Sequence, residues 1–319
     1  MATRLAGQET LGNPSVGGWT GVVLGGLMFF LGGGIAAVGL GWIEVDPDSV
    51  HAPGWVLAMV GAIFGLAGLY VLPTGVREIL AQRRREHELL RRPAEPWLAD
   101  RDWDPRGSTF TGSGRFLRSA VGVGFVAVFL TPFHWWAFFS DDDTIMVKLI
   151  VGLFDLFLLF VVFETVRRFL AMLRYGRSEV LYDTFPFFVG EELSVQFRRP
   201  ANAVFTRLTF ALQCVEERLE TSGSGKNRSA KQVPYALWQE EVVVDEADGA
   251  GMPLEDHPLR FDLPADRPGN RLGERPPTYW MLKVTGVAAG PDYEGRFLLP
   301  VYERARARDE RKSGLSSED

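Results

Sequence analysis

Four long apolar stretches in the first half of the chain constrain its fold more than any other feature. They cover residues 18–43, 54–76, 116–139 and 145–163. Each is close to or above the roughly 20 residues that an α-helix needs to cross the hydrocarbon core of a bilayer. Four such stretches, joined in pairs by short connections, predict two transmembrane helical hairpins.

The second half of the 319-residue chain is more polar and has a different period. From residue 176 onward apolar and polar side chains alternate, which is typical of half-buried strands. One predicted face consists of Leu193, Val195 and Phe197, and another of Leu208, Phe210, Leu212 and Cys214. Strands are predicted at residues 179–182, 193–197, 208–214, 236–244, 259–263, 279–287 and 296–301. Such a series, separated by turns rich in Gly, Pro and Asp, predicts an antiparallel β-sandwich.

The predicted organisation has six parts. We expect a cytoplasmic N-terminal segment, a first hairpin, a loop rich in Arg with two Trp residues, a second hairpin, a cytoplasmic β-sandwich and a charged tail. Their bounds are 1–17, 18–76, 77–115, 116–172, 173–303 and 304–319. The first apolar run is longer than the 7–15-residue core of a cleavable signal peptide, so we expect it to be a permanent helix.

Arginine is distributed unequally between the connections. The loop 77–115 is rich in Arg, whereas the connections 44–53 and 140–144 contain acidic residues and no Lys or Arg. Basic loops are retained on the cytoplasmic side of a membrane. We therefore expect the loop and both termini to be cytoplasmic.

Glycines on the first two helices predict close helix packing. Gly21 and Gly25 are four residues apart, as are Gly61 and Gly65. Small residues at this spacing share a helical face and let two backbones approach each other. The expected contact is between the two helices of one hairpin, and the alternative is a homodimer contact.

Asp155 lies near the middle of the fourth apolar stretch. An ionised carboxylate at the centre of a bilayer costs at least about 2.5–3.5 kcal/mol, so the side chain needs water or a partner. Lys148 lies about two helical turns outward, and no cationic partner is expected at the depth of Asp155. The favoured interpretation is a hydrogen-bonded residue that holds helices together. The alternative is a proton or cation site in a transport path.

Two tryptophans follow a proline-containing segment of the basic loop. Trp97 and Trp103 stand among charged residues, with Arg101 between them, and need a surface to pack on. We expect these three residues to form an interface or docking site. The surface is either the membrane interface or the soluble domain.

The same segment resembles a known group of proteins. Glu95, Pro96, Trp97, Leu98, Arg101, Asp102 and Trp103 are similar to a juxtamembrane segment of an uncharacterised family of bacterial inner-membrane proteins. Ala99-Asp100 departs from that family's usual aromatic–arginine pair. The family has paired membrane hairpins and a β-rich domain, and no assigned activity.

The C-terminal strands resemble the end of arrestin-like sandwiches. The similar segments are 261–264, 279–284, 290–293 and 297–301. The resemblance implies an arrestin-like or immunoglobulin-like sandwich that binds proteins through sheet edges and loops. The same order of segments recurs in the uncharacterised family above, and that resemblance implies a location in a bacterial inner membrane.

No motif in the chain predicts catalysis. Phosphate-binding loops, dinucleotide fingerprints, nucleophile elbows and zinc motifs are absent from the sequence. Cys214, the single cysteine, stands in an apolar strand face. The net charge of −6 gives no reason to expect nucleic acid. We expect no enzyme activity and no cofactor.

Three functions remain open from the sequence. The leading hypothesis is a four-helix anchor in the lipid bilayer that presents a non-catalytic module to a cytosolic protein partner. The second is a channel or transporter component that uses Asp155. The third is a membrane-bound enzyme, for which no converging polar residues are found.

Overall fold

The computed structural model contains two compact units. It describes residues 2–5, 8, 10–11, 18–46, 53–139, 145–200, 205–222, 229–245, 257–288 and 290–304. The membrane unit consists of Asn13–Arg83 and Gly114–Phe169, and the sandwich unit of Met1–Gly12, Arg84–Ser113 and Leu170–Asp319. The predicted acidic loop 140–144, most of the connection 44–53 and the charged tail from residue 305 lie outside the described residues.

Helices form where the apolar stretches predict them. They are α1 (Gly18–Gly39), α2 (Gly54–Arg91), α3 (Trp97–Asp100), α4 (Ser113–Phe139) and α5 (Ile145–Tyr175). All except the single turn α3 are long and apolar enough to cross a membrane, which confirms the predicted helical region. The 38 residues of α2 span roughly 57 Å at about 1.5 Å per residue. Since the hydrocarbon core of a bilayer is about 30 Å thick, α2 is far longer than a crossing requires.

A glycine at every seventh position brings α1 and α2 into backbone contact. Each of the α2 glycines 54, 61, 68 and 75 faces one of the α1 glycines 39, 32, 25 and 18. A Cβ atom on these four α2 glycines would lie 2.8, 2.6, 2.5 and 2.8 Å from the carbonyl oxygen of the facing glycine. No side chain fits into such a contact, so glycine at these positions is required for the helices to approach this closely.

Aromatic and hydroxyl side chains join the remaining membrane helices. Between α2 and α4, the rings of Trp55 and Trp135 have centroids 4.7 Å apart. Between α4 and α5, the Ser119 and Thr165 hydroxyl oxygens lie 2.6 Å apart. Each helix of the unit therefore packs on the next one along the chain.

The sandwich unit contains eleven described strands. They are β1 (Thr3–Arg4), β2 (Gly107–Phe110), β3 (Ser178–Tyr182), β4 (Phe187–Phe188), β5 (Glu192–Arg198), β6 (Arg207–Ser222), β7 (Ser229–Asp245), β8 (His257–Asp262), β9 (Thr278–Val287), β10 (Tyr293–Leu299) and β11 (Val301–Tyr302). All seven predicted strands are present, as β3 and β5 to β10. The additional strands have two to four residues each.

The strands form two antiparallel sheets and one parallel pair. One sheet has the order β1-β7-β6-β9-β10, the other has the order β2-β3-β5-β8, and β4 pairs with β11. β1 comes from the N-terminal segment and β2 from the loop between α2 and α4. The predicted architecture, a helical membrane region followed by an all-β antiparallel domain, is confirmed.

The two predicted strand faces form the core between the sheets. Leu193, Val195 and Phe197 of β5 have no exposed surface, and neither have Leu208, Phe210, Leu212 and Cys214 of β6. The ring of Phe197 packs against Phe210 and Phe297, with centroids 5.3 and 6.0 Å away. Burial of these side chains supplies the main stabilisation of the sandwich, at about 1.5–3 kcal/mol for each large apolar side chain.

Candidate functional site

Asp155 on α5 is paired with a histidine on α4. The His134 Nε2 atom on α4 lies 2.8 Å from Asp155 Oδ1 and 2.9 Å from Oδ2 on α5. The other ring nitrogen, Nδ1, lies 2.9 Å from the Leu130 carbonyl oxygen. Because a carbonyl oxygen only accepts, Nδ1 carries a proton and donates it to Leu130. Nε2 and the carboxylate then share a further proton, and the pair has no net charge.

This pair corrects one expectation from the sequence. The expectation that Asp155 has no basic partner at its own depth is wrong, because His134 occupies that position. His134 lies five residues before the end of α4 and Asp155 ten residues after the start of α5. In a simple hairpin, residues at equal numbers of positions from the connecting loop face each other, and by that rule the two residues would not be paired. Only the packing of α4 on α5 does so.

Trp97, Trp103 and Arg101 lie on the sandwich. The Trp97 ring packs against Phe188 of β4 and Tyr302 of β11, with centroids 6.0 and 5.9 Å away. Trp103 Nε1 donates a hydrogen bond to the Tyr302 hydroxyl at 3.1 Å. The Arg101 guanidinium lies over the Trp103 ring, 5.8 Å from its centroid. Of the two surfaces left open by the sequence, the residues therefore contact the soluble domain.

Arg85 and Asp100 attach the same segment more firmly. Arg85 Nη2 donates to the Asp100 carbonyl oxygen at 2.9 Å, and Nη1 donates to the Leu272 carbonyl oxygen at 3.2 Å. The Asp100 carboxylate is buried and lies 3.8 Å from Arg85 Nε. Burial and the neighbouring Asp100 raise the pKa of the Tyr302 hydroxyl. The Arg85 contacts join the end of α2 to α3 and to Leu272 in the connection between β8 and β9.

The four glycines predicted for helix packing differ in their surroundings. A Cβ on Gly25 would lie 2.6 Å from the Leu72 backbone nitrogen, and one on Gly61 would lie 2.3 Å from the Ala36 nitrogen. Gly21 is buried, and its carbonyl carbon would lie 2.9 Å from a Cβ on Gly75. The nearest atom to a Cβ on Gly65 would be 3.8 Å away, which is an ordinary contact. The Gly65 backbone is nevertheless part of the contact, since a Cβ on Gly32 would lie 2.3 Å from the Gly65 nitrogen. Both four-residue pairs therefore belong to the contact between α1 and α2.

Glu217 is a fully buried acid that the sequence did not single out. Its carboxylate accepts hydrogen bonds from the Leu11 backbone N–H at 2.6 Å, from the Tyr279 hydroxyl at 3.0 Å and from the Gln232 side-chain amide. Burial outweighs these donors and raises the pKa of Glu217. Leu5 packs nearby on Val215, Tyr279 and Met281. Glu217 thus holds the N-terminal segment against the outer face of the five-stranded sheet.

The longest strand has an open side. Along its inner side β7, which has 17 residues, pairs with β6 at every position except Leu237. On the outer side β1 pairs only with Tyr235 and Ala236. Within the described ranges no strand pairs with the outer side of residues 237–245. An edge of this kind presents unpaired backbone N–H and C=O groups.

Cys214 and the side chains that could bind a metal ion are the remaining candidates for reactive chemistry. Burial raises the pKa of the Cys214 thiol to about 12, so the thiolate that a nucleophile requires is not formed at neutral pH. Among the described residues, no three His, Cys, Asp or Glu side chains lie close enough together to hold a metal ion.

Comparisons with known proteins give little. No protein-family model matches the chain, and no curated protein matches it. Among solved structures, the chain is similar to Spo0M, a sporulation control protein from Bacillus subtilis, with 14% sequence identity and a TM-score of 0.25. The match covers 44% of this chain and 54% of Spo0M, so the chain spans about half the length of that protein. A likeness this slight supports no statement about function.

Proposed function

We propose that the protein is an anchor of the bacterial inner membrane whose sandwich binds another protein on the cytosolic side without catalysing a reaction. The sandwich is the binding module, and the four helices hold it at the membrane. The observation that carries the proposal is the open outer side of β7, since an exposed strand edge is a common site of protein recognition.

The strands of the sandwich come from three separate parts of the chain, which supports one side of the membrane for all of these parts. β1 precedes α1, β2 lies between α2 and α4, and β3 to β11 follow α5, yet all of them belong to one unit. Segments that fold together must be on the same side of the membrane. The excess of arginine in the loop 77–115 favours the cytosol for that side.

The polar groups buried in the sandwich support a structural use over a catalytic one. Asn270 Nδ2 donates to the Leu299 carbonyl oxygen at 2.6 Å, and its Oδ1 accepts from the Trp280 backbone N–H at 2.8 Å. Glu217 is engaged by its three donors. The Asn270 and Glu217 side chains therefore form hydrogen bonds that hold segments of the sandwich together. The resemblance of the C-terminal strands to arrestin-like sandwiches also favours binding through edges and loops.

Cysteine labelling tests the location. Wild-type protein is expected to resist maleimide reagents because Cys214 is buried. Asp262→Cys places a thiol on an exposed position of β8, and Asp142→Cys places one in the acidic connection between α4 and α5. In intact spheroplasts a membrane-impermeant maleimide is expected to label Asp142→Cys only, and Asp262→Cys only after permeabilisation. The reverse pattern contradicts a cytosolic sandwich.

Photo-crosslinking in living cells tests the binding role. The full chain carries p-benzoylphenylalanine at one exposed sandwich position per variant, such as Val243 or Asp262, with a position on the lipid-facing side of α5, Leu153, as the matched control. We expect a discrete crosslinked protein from at least one sandwich position and none from Leu153. The absence of a protein adduct from every exposed sandwich position overturns the proposed function.

A further inference from the structure

The open side of β7 has the properties of a strand-addition site. We propose that residues 237–245 bind an extended segment of the partner, which pairs with β7 as an additional strand. The segment carries apolar residues on its core-facing side except opposite Glu240, where it carries Lys or Arg, and Lys or Arg on its other side. This inference rests on the proposed function, because it names the surface and the chemistry of the partner for the same module.

The chain itself shows that this edge accepts an added strand. β1 pairs antiparallel with β7, with Thr3 opposite Ala236 and Arg4 opposite Tyr235. The Leu5 backbone N–H continues the pairing by donating to the Pro234 carbonyl oxygen at 3.0 Å. β1 is contributed by the N-terminal segment, which is remote in sequence from β7. An extended segment from elsewhere is therefore already paired along part of this edge.

A β-bulge separates the occupied part of the edge from the open part. In the pairing with β6, Cys214 lies opposite Trp238 and Val215 opposite Ala236, which leaves Leu237 as the extra residue. A bulge changes the direction of a strand and interrupts its ladder. β1 ends before this point, so a partner strand along 237–245 does not displace it.

Apolar side chains on the core side of the open edge are only partly covered. Trp238, Val242 and Val244 are half-buried and pack against the main core. Side chains alternate between the two faces of a strand, so every second residue of an added strand would lie beside them. Apolar residues at those positions would complete the burial of all three. The partner segment is therefore expected to have an apolar face.

Charge defines the rest of the partner. Glu240 alternates with Val242 and Val244, so it lies at a core-facing position although it is exposed at the edge. A strand added here must place a cation opposite Glu240, because an uncompensated carboxylate is costly to remove from water. From residue 237 to residue 259 the sequence has acidic residues and no Lys or Arg. Of the described acids in this range, Asp245 is paired with Arg207 at 2.5 Å, so Glu240 and Glu241 are the charges to which the partner's cations are assigned.

The same charges disfavour a second copy of this chain as the partner. Two β7 edges paired with each other would bring acidic side chains opposite acidic side chains, and like charges in that arrangement are destabilising. Inward-pointing charges are also a known protection of sheet edges against aggregation. The acids of this edge could serve only to prevent aggregation or could also recognise a partner. The two roles differ in one respect, since only recognition requires that a cationic strand binds.

The experiment uses the full chain in lipid nanodiscs and a defined probe. The probe is a fluorescein-labelled peptide as long as the open edge, with alternating Lys and Val and with Lys also replacing the Val opposite Glu240. Its control is the same peptide with Glu in place of every Lys. Binding is measured by fluorescence anisotropy, and the contact is located by hydrogen exchange with mass spectrometry. Of the two peptides, we expect only the Lys peptide to bind and to slow backbone hydrogen exchange in residues 237–245.

Charge-reversed variants supply the matched controls. Glu240→Lys together with Glu241→Lys is expected to weaken binding of the Lys peptide by about tenfold or more, and Asp262→Lys on the edge strand β8 to leave it unchanged. The double variant is expected to bind the Glu peptide instead. This gain keeps the test informative if the charge reversal also lowers stability.

Three outcomes overturn the strand-addition site. They are no binding of the Lys peptide to wild-type protein, equal weakening by Asp262→Lys, and binding without slower exchange in residues 237–245. The first corresponds to acids that only protect the edge. In each of these cases the crosslinking experiment decides separately whether the sandwich binds a protein through another surface, so the proposed function stands or falls by that result.

Discussion

His134 on α4 contacts both carboxylate oxygens of Asp155 on α5, at 2.8 and 2.9 Å from Nε2. The contact joins two ionisable side chains of opposite type on neighbouring apolar helices. Because His134 Nδ1 is already bonded to the Leu130 carbonyl oxygen, the ring cannot rotate without losing two hydrogen bonds. The geometry favours a fixed, neutral pair that holds the two helices together.

Removal of one partner of this pair should destabilise the membrane unit more than removal of both. His134→Leu leaves Asp155 without its donor among apolar side chains, at an expected cost of about 1–3 kcal/mol in the free energy of unfolding. The double variant with Asp155→Leu should recover most of that cost. The measurement is denaturation of the full chain in detergent, with His87→Leu at the exposed end of α2 as the control. Additive single effects would contradict the pairing.

Proton flux distinguishes the anchor from the transport alternative. If Asp155 has a structural role, proteoliposomes with wild-type protein should be no more permeable to protons than protein-free vesicles. The measurement uses a pH-sensitive dye inside the vesicles and an imposed pH gradient. A flux that is present in wild type and lost in Asp155→Asn, with the fold retained, would establish the transport alternative.

Two alanine substitutions on α2 test the seven-residue glycine repeat. Gly61→Ala places a Cβ 2.3 Å from the Ala36 backbone nitrogen, so the helices must separate, at an expected cost of about 1–3 kcal/mol. Gly65→Ala meets nothing closer than 3.8 Å and should be neutral or slightly stabilising, because alanine favours helix over glycine by up to about 1 kcal/mol. Thermal unfolding in detergent compares the two variants. Equal effects would contradict the close approach of α1 and α2.

The docking of the tryptophan segment is tested by a neighbouring pair of variants. Trp97→Ala removes ring contacts with Phe188 and Tyr302 and should lower the stability of the sandwich by about 1–2 kcal/mol. Leu98→Ala, at the next position but half-exposed, should have a smaller effect. The readout is hydrogen exchange in β4 and β11. Unchanged exchange in Trp97→Ala would show that these contacts do not hold the segment.

Glu217 makes the stability of the sandwich depend on pH. Burial raises the pKa of this carboxyl in the folded protein above its ordinary value of 4.5. Its contribution to stability is therefore complete below that ordinary value and is lost as the pH rises through the folded pKa. We expect the melting temperature of wild type relative to Glu217→Gln to fall as the pH increases from about 4 to about 8.

The control for this titration is Glu192→Gln, which replaces an exposed carboxyl on β5. Its melting temperature at each pH gives the effect of removing one exposed carboxyl group. A constant difference between wild type and Glu217→Gln across the same range would contradict the raised pKa.

The apolar periodicity predicts the large elements of this fold and misses its smallest ones. The four membrane helices and seven strands are long enough for a period to be recognised in the sequence. β1, β4 and β11 have two residues each, and such strands have no period of their own. β1 forms because β7 offers backbone groups to Thr3 and Arg4, whereas β4 and β11 form by pairing with each other, so each depends on a segment distant in sequence.

Some of the candidate residues were likewise recognisable in the sequence, whereas others depend on tertiary packing. Trp97, Trp103 and Arg101 were recognisable because aromatic rings in a charged segment require a packing surface, although the sequence did not indicate which one. The glycine repeat was present in the sequence at seven-residue spacing. His134, Glu217 and the open edge of β7 have no local signal, because each depends on what a distant segment places beside it.

By itself, the sequence determined that the chain has four helices long and apolar enough to cross a membrane and an all-β domain, because burial of apolar surface imposes a pattern on each element. Tertiary structure alone decided that β1 and β2 join the sandwich and that His134 meets Asp155. It also decided that β7 keeps an open edge over residues 237–245. Hydrogen bonds between distant segments depend on which backbones and side chains the packing brings within about 3 Å, and no period along the chain encodes that choice.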